Sequence, residues 1–212
     1  MKNLQKGFAP IAILIIVITV LVIGGGAYVY ENKKSENITK DQSSTVTSEK
    51  KVLDTSREVI STLSSRNYQK LEELVSPNGL SLAIYPQIDF QNNLIAKNDI
   101  SEIPVDKKNY LWGYTDGRGD PINLTREEFI TKWIYNNSVD YLKAPDVAVN
   151  KKLGGGNSIN TIGEDGRTYA AFNFSGFDPK YVGMDWTTLY LVFDSVNGEY
   201  KLRAIAKDNW TI

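Results

Sequence analysis

A chain of 212 residues with 42% hydrophobic and 23% charged residues has the composition of a globular protein, with room for one domain and accessories. It contains no cysteine and no histidine, which excludes disulfides, thiolate nucleophiles, Ser-His-Asp and Cys-His systems and histidine-ligated zinc. The 24 basic residues are outnumbered by 25 acidic ones, so the chain has no electrostatic reason to seek nucleic acid.

The charges are unevenly spread. Residues 8–30 carry none, and 11–23 are almost purely Ile, Val, Leu and Ala. About 20 apolar residues in a helix cross a hydrocarbon core of about 30 Å, so the run predicts a transmembrane helix over 8–30. Pro10 falls in its first turn, where a helix tolerates it, and Tyr28 and Tyr30 fall where an interfacial aromatic belt belongs. Lys2 and Lys6 favour a cytoplasmic N-terminus over 1–7, against Lys33 and Lys34 on the other flank. Two processing routes compete with a permanent anchor. Gly25 and Ala27 form the small-x-small pattern that signal peptidase accepts. Lys6-Gly7-Phe8 resembles the leader junction of type IV prepilins, although Ala12 stands where those proteins carry glutamate and Gly24-Gly25-Gly26 interrupts the rod.

Residues 31–51 hold Ile38 and Val46 as their only aliphatic side chains. Such a segment buries too little apolar surface to offset its ordering entropy and reads as a flexible linker. The extracytoplasmic domain is then expected over 52–212. Val52, Val59, Ile60, Leu63, Leu71, Leu74 and Val75 fall near helical spacing, interrupted at residues 64–67. This predicts two tandem helices, the second capped by Asn67 and stopped by Ser76-Pro77-Asn78-Gly79. A strand follows over Leu80–Ile88, then a polar loop and a short strand over Tyr110–Tyr114. Thr125 and Glu128 make a capping box that opens a helix with Phe129, Ile130, Trp133 and Ile134 on one stripe. Strands are expected at Thr168–Phe174, Thr188–Asp194 and Tyr200–Ala206, the last two joined by an Asn197-Gly198 hairpin. Residues 148–153 offer one more strand before Gly154-Gly155-Gly156.

Helices followed by a helix among antiparallel strands is an α+β layout. Glu58-Val59-Ile60-Ser61-Thr62-Leu63 and Asn67-Tyr68-Gln69-Lys70-Leu71-Glu72-Glu73-Leu74-Val75-Ser76-Pro77 resemble the opening of the nuclear transport factor two-like superfamily. The resemblance implies a curved antiparallel sheet wrapped on the N-terminal helices as a cone, here behind the transmembrane helix. The superfamily contains both enzymes and binding modules, so the fold alone assigns no chemistry.

Three groups of candidate site residues stand out. Asp116, Asp120 and Glu127 occupy the first, fifth and twelfth positions of a calcium loop, but Arg118 and Pro121 replace a ligand and the turn glycine; a Gly/Asp turn into the capped helix is the competing reading. Asp178 and Asp185 fall in an aromatic-rich loop where a desolvated carboxylate acts as general base in related isomerases and dehydratases. Trp112, Tyr181 and Trp186 are the aromatic candidates for ligand contact. Nothing in the sequence calls for a cofactor. The expectation is a membrane-anchored extracytoplasmic binding or interaction module with an unknown protein or small-molecule ligand. The alternatives are a carboxylate-dependent isomerase or hydrolase and a minor pilin-like subunit.

Overall fold

The computed structural model describes residues 45–155 and 159–210. Glu49–Ile212 forms one compact unit, and Met1–Ser48 a second of which only 45–48 are described. Helix α1 is described over 45–65 and is already helical at Thr45, inside the stretch read as linker. It buries Val52, Ser56, Val59, Ile60 and Leu63, positions that share one helical face. The buried Ser56 hydroxyl donates to the Val52 carbonyl at 2.7 Å. Arg66 then takes a left-handed conformation (φ 54°). Asn67 caps helix α2 (Tyr68–Leu74) by accepting from the Lys70 N–H at 3.0 Å.

Eight strands follow: β1 (Leu80–Ala83), β2 (Leu94–Ile95), β3 (Tyr110–Tyr114), β4 (Pro121–Leu124), β5 (Asp146–Val149), β6 (Thr168–Phe174), β7 (Thr187–Val196) and β8 (Glu199–Asn209). Six of them form one sheet in the order β2-β1-β8-β7-β6-β5, and β3 with β4 makes a separate hairpin. Between these groups, helix α3 (Arg126–Phe129) opens on the capping box of Thr125 and Glu128 and continues as a π-type turn over Ile130–Ile134. The turn ends with the Tyr135 N–H on the Ile130 carbonyl at 2.7 Å.

The expected antiparallel, cone-like sheet behind a transmembrane helix requires correction. The sheet is mixed: β1 lies parallel to β8, with Ser81 opposite Ala204 and Ala83 opposite Ala206. Parallel neighbours need a long crossover, and here the chain runs from Ala83 to Glu199 before returning beside β1. Strand periodicity reports which residues are extended, not which distant strand pairs with them or in what direction. The span expected over 8–30 lies outside the described residues. No helix among the described residues is long and apolar enough to cross a membrane.

The sheet is covered on both faces. Leu189, Leu191 and Phe193 pack into the main core with α1 and α2, while Tyr190 and Val192 pack with Ile162, Tyr169, Ala171, Ala204 and Ala206 on the other side. Double coverage explains the near-continuous apolar run of β7. Asn197 and Gly198 turn the β7–β8 hairpin, both at positive φ. Along that pair Val192 faces Ala204 and Phe193 faces Leu202, which makes Arg203 the extra residue of a β-bulge.

Candidate functional site

A cleft of about 370 Å³ opens between the end of β1 with its following loop and strand β3. Its lining includes Tyr85, Gln87, Asp89 and Asn92 on one side and Trp112 and Tyr114 on the other. Each wall is held from behind.

Strand β3 carries Tyr110, Trp112 and Tyr114, and its register with β4 shifts between Leu111 and Tyr114, a bulge that interrupts the period-two alternation. Trp112 is only 6% exposed. Its ring stacks on Phe129, with centroids 4.1 Å apart and 3° between planes, and its Nε1 donates to the Leu124 carbonyl at 3.0 Å. Tyr114 is 57% exposed and leaves a large aromatic surface at the cleft. The indole is therefore a fixed wall and the phenol an open one.

The opposite wall is the loop over 84–93. Asp89 organises its tip. The carboxylate accepts from the Gln91 N–H at 2.8 Å, the Asn92 N–H at 3.1 Å and Asn92 Nδ2 at 2.6 Å, and these bonds hold it below the usual carboxylate range. Asn93 adopts φ 57°, a conformation that asparagine tolerates, and its amide reaches the Trp112 carbonyl at 3.4 Å. Burial pushes the Tyr85 hydroxyl up to about 12, and Asp116 beside it adds to the rise. Behind the loop, Arg203 Nη2 donates to the Phe90 carbonyl at 3.2 Å and Nη1 to Ser81 Oγ at 3.1 Å. The guanidiniums of Arg203 and Arg167 lie 4.7 and 4.4 Å from the Phe90 ring centroid. Arg203 is 5% exposed, and burial lowers its pKa. Arg167 is tied in turn to Asp194 at 2.9 Å.

Among the sequence candidates, the cleft takes in Trp112 and none of the others. Asp116 and Asp120 sit in the turn between β3 and β4, where the Thr115 N–H meets the Asp120 carbonyl at 2.9 Å. Asp120 pairs with exposed Arg118 at 3.4 Å, and Glu127 lies in α3. Among the described residues no group of three or more acidic side chains could hold a metal ion.

Asp178, Tyr181, Asp185 and Trp186 all lie in the loop between β6 and β7. Asp178 caps a 3₁₀ turn over Pro179–Tyr181 and pairs with Lys180 at 2.9 Å. Asp185 accepts from the N–H groups of Phe177 at 2.9 Å and Asp178 at 2.8 Å. Desolvation alone would raise its pKa, but those backbone donors outweigh it and hold the carboxyl below its ordinary value. Asp178 and Asp185 Oδ2 thus shape the loop, while Asp185 Oδ1 is buried without a hydrogen-bond partner among the described residues. Tyr181 is exposed, with Lys180 Nζ 4.5 Å from its ring centroid. Trp186 is buried beneath the Gly154-Gly155 backbone, where a Cβ on Gly154 would stand 3.0 Å from the indole.

A larger groove of about 440 Å³ runs between α1, α2 and the β7–β8 turn. Several of its charges pair within it, with Lys70 3.2 Å from Glu58 and 2.8 Å from Glu73 and Lys201 3.4 Å from Glu199. Solvent-exposed pairs of this kind form an ordinary hydrated surface.

Sequence reasoning passes over Tyr85, Asn92, Tyr114 and Arg203. The alternating aromatics of β3 carry a signal for Tyr114. A lone arginine inside the apolar run Leu202–Ala206 carries one for Arg203, because a buried cation must find partners. The amides of the 84–93 loop read only as polar loop. No protein-family model, no curated protein and no solved structure matches the chain.

Proposed function

We propose that the chain is a membrane-tethered extracytoplasmic binding module whose ligand occupies the cleft between the 84–93 loop and strand β3. The observation that carries the reading is the prebuilt wall. Aromatic and amide groups line the cleft, and the bonds of Trp112, Asn93 and Arg203 to the backbone around it hold the indole and the loop before any ligand arrives. Ordering groups in advance removes a cost that binding would otherwise carry. Binding is favoured over carboxylate chemistry because Asp178 and Asp185 lie outside the cleft, with Asp178 Oδ1 and Asp185 Oδ2 accepting loop N–H groups, and because Asp89, which does line the cleft, accepts from N–H groups of its own loop. The uncharged run over 8–30 supports the tether.

Photoreactive fragments applied to membranes from cells expressing the full chain test both parts. The expected result is that the chain pellets with the membranes and that its adducts concentrate on residues 82–93 and 112–114. They should fall when Tyr114 is replaced by alanine. A chain left in the supernatant would refute the tether. Adducts confined to other surfaces would refute the cleft.

A further inference from the structure

We infer that the ligand of this cleft is an uncharged carbohydrate, an inference that rests on the cleft being the binding site. Three features of the lining converge on that chemistry.

Among the described residues, no lysine or arginine lines the cleft. A phosphate, sulfate or carboxylate ligand needs cationic donors in a desolvated site, and the nearby guanidiniums of Arg203 and Arg167 are directed to Phe90, Ser81 and Asp194 instead. Anionic ligands, nucleotides included, are therefore disfavoured. Asp89, the one carboxylate among the described lining residues, is already bonded three times within its own loop, so a cationic ligand gains little from it.

The polar groups that do line the cleft include the amides of Gln87, Asn92 and Asn93. The Asn92 and Asn93 Nδ2 atoms each already donate one hydrogen, to Asp89 and to the Trp112 carbonyl, which leaves each its carbonyl oxygen and second N–H. An amide presents a donor and an acceptor side by side. A pair of neighbouring hydroxyls on a sugar offers the same combination, each oxygen donating and accepting, so one amide engages two hydroxyls at once. A lipid tail offers no such match and would desolvate the amide atoms that remain open.

The apolar part of the lining includes aromatic rings, with Tyr114 more than half exposed and Tyr85 half-buried. The C–H face of a pyranose ring is apolar and slightly electropositive, which suits the negative face of an aromatic π-system. Tyrosine supplies that surface with only two side-chain torsions to restrict. A volume of about 370 Å³ falls toward the lower end of ligand pockets, roughly 300–1,000 Å³, and suits a short saccharide unit rather than a folded element of another protein.

The test uses the full chain labelled with 5-fluorotryptophan, in micelles of a detergent without a sugar headgroup. Its four tryptophans give fluorine signals assigned by single Trp→Phe variants. Cellotetraose, chitotetraose and maltotetraose are titrated as neutral probes, and tetragalacturonate as the anionic counterpart. At least one neutral probe should shift the Trp112 signal saturably, and tetragalacturonate should not. Tyr114→Ala should weaken that probe about tenfold or more, a loss of about 1.4 kcal/mol, while Tyr114→Phe should retain it. If no neutral probe moves the Trp112 signal although photoreactive fragments label the cleft, the ligand class is wrong and the site stands. A neutral probe that moves only the Trp186 or Trp210 signal, or that binds the Tyr114→Ala protein equally well, overturns the inference and counts against the site as well.

Discussion

The guanidinium of Arg203 lies 4.7 Å from the centroid of the Phe90 ring and donates to the Phe90 carbonyl at 3.2 Å. A residue of the last strand thus grips, by side chain and backbone together, the loop that forms one wall of the cleft. The grip uses a cation whose Nε has no hydrogen-bond partner and whose pKa burial lowers. Burying such a group costs free energy. Holding the loop is the return visible in the fold.

Arg203→Ala should therefore cost about 2–4 kcal/mol, from three orphaned acceptors, the Phe90 and Gly79 carbonyls and Ser81 Oγ, and lost packing of the stem. The local effect distinguishes this from a generic core lesion. Hydrogen exchange in residues 84–93 should quicken by more than exchange in β6 and β7. Uniform acceleration through the sheet would contradict the gripping role.

Asp194 collects the Ser76 hydroxyl at 2.6 Å, the Asn78 amide at 2.9 Å and Arg167 at 2.9 Å. Desolvation raises its pKa, yet these donors outweigh it and the carboxyl is held below its ordinary value. A carboxyl with a depressed folded pKa adds stability above its unfolded value, about 3.9, and loses it as pH falls through the folded value. Asp194→Asn should cost about 1–3 kcal/mol near neutral pH. The urea midpoints of the two proteins should converge on acidification below about pH 4. Parallel midpoint curves across that range would count against the ionised network.

The alkaline limb has its own groups. Burial pushes the hydroxyls of Tyr68, Tyr141 and Tyr190 each up to about 12. An acid whose folded pKa lies above its unfolded one, about 10 for tyrosine, stabilises the fold fully below the unfolded value and loses that contribution as pH rises to the folded one. Tyrosinate absorbance of the native protein should lag behind that of the urea-unfolded chain, with cooperative unfolding setting in between pH 10 and pH 12. Coincident titration curves would show these hydroxyls to be solvated.

Val182 has φ 52° and ψ 37° and is 84% exposed. The left-handed conformation costs a β-branched residue about 1–2 kcal/mol, and an exposed side chain recovers little of that by packing. Val182→Gly should stabilise the protein by about 0.5–1 kcal/mol once glycine's greater unfolded-state entropy is subtracted. Thermal unfolding provides the measurement. A destabilised variant would mean that this side chain makes contacts that outweigh the strain.

The local elements were the legible part of this fold. Thr168–Phe174 emerges as a strand with the bounds expected of it, Asn67 and Thr125 cap the helices expected of them, and Asn197-Gly198 turns the last hairpin. Each depends on neighbours within a few residues. The strand expected over Leu80–Ile88 stops at Ala83; beyond it Ile84 and Tyr85 still pack with the main core and Ile88 with the cluster on the other face, so their apolarity reports burial rather than strand. The β1–β8 pairing and the Arg203–Phe90 contact join residues more than a hundred positions apart. No periodicity encodes such partners. The cleft inherits that limit: Trp112 draws notice alone, but its partners Tyr85 and Asn92 become a site only when the loop folds back on β3.

Hydrogen–deuterium exchange of the full chain, with and without a saturating amount of the fragment that labels it most heavily, addresses the binding cleft most directly. Protection confined to residues 84–93 and 110–114, and absent from the Tyr114→Ala protein, is the predicted result. Protection centred instead on the Glu58–Lys70 groove or on the loop over 175–186, with the cleft unchanged, would contradict it.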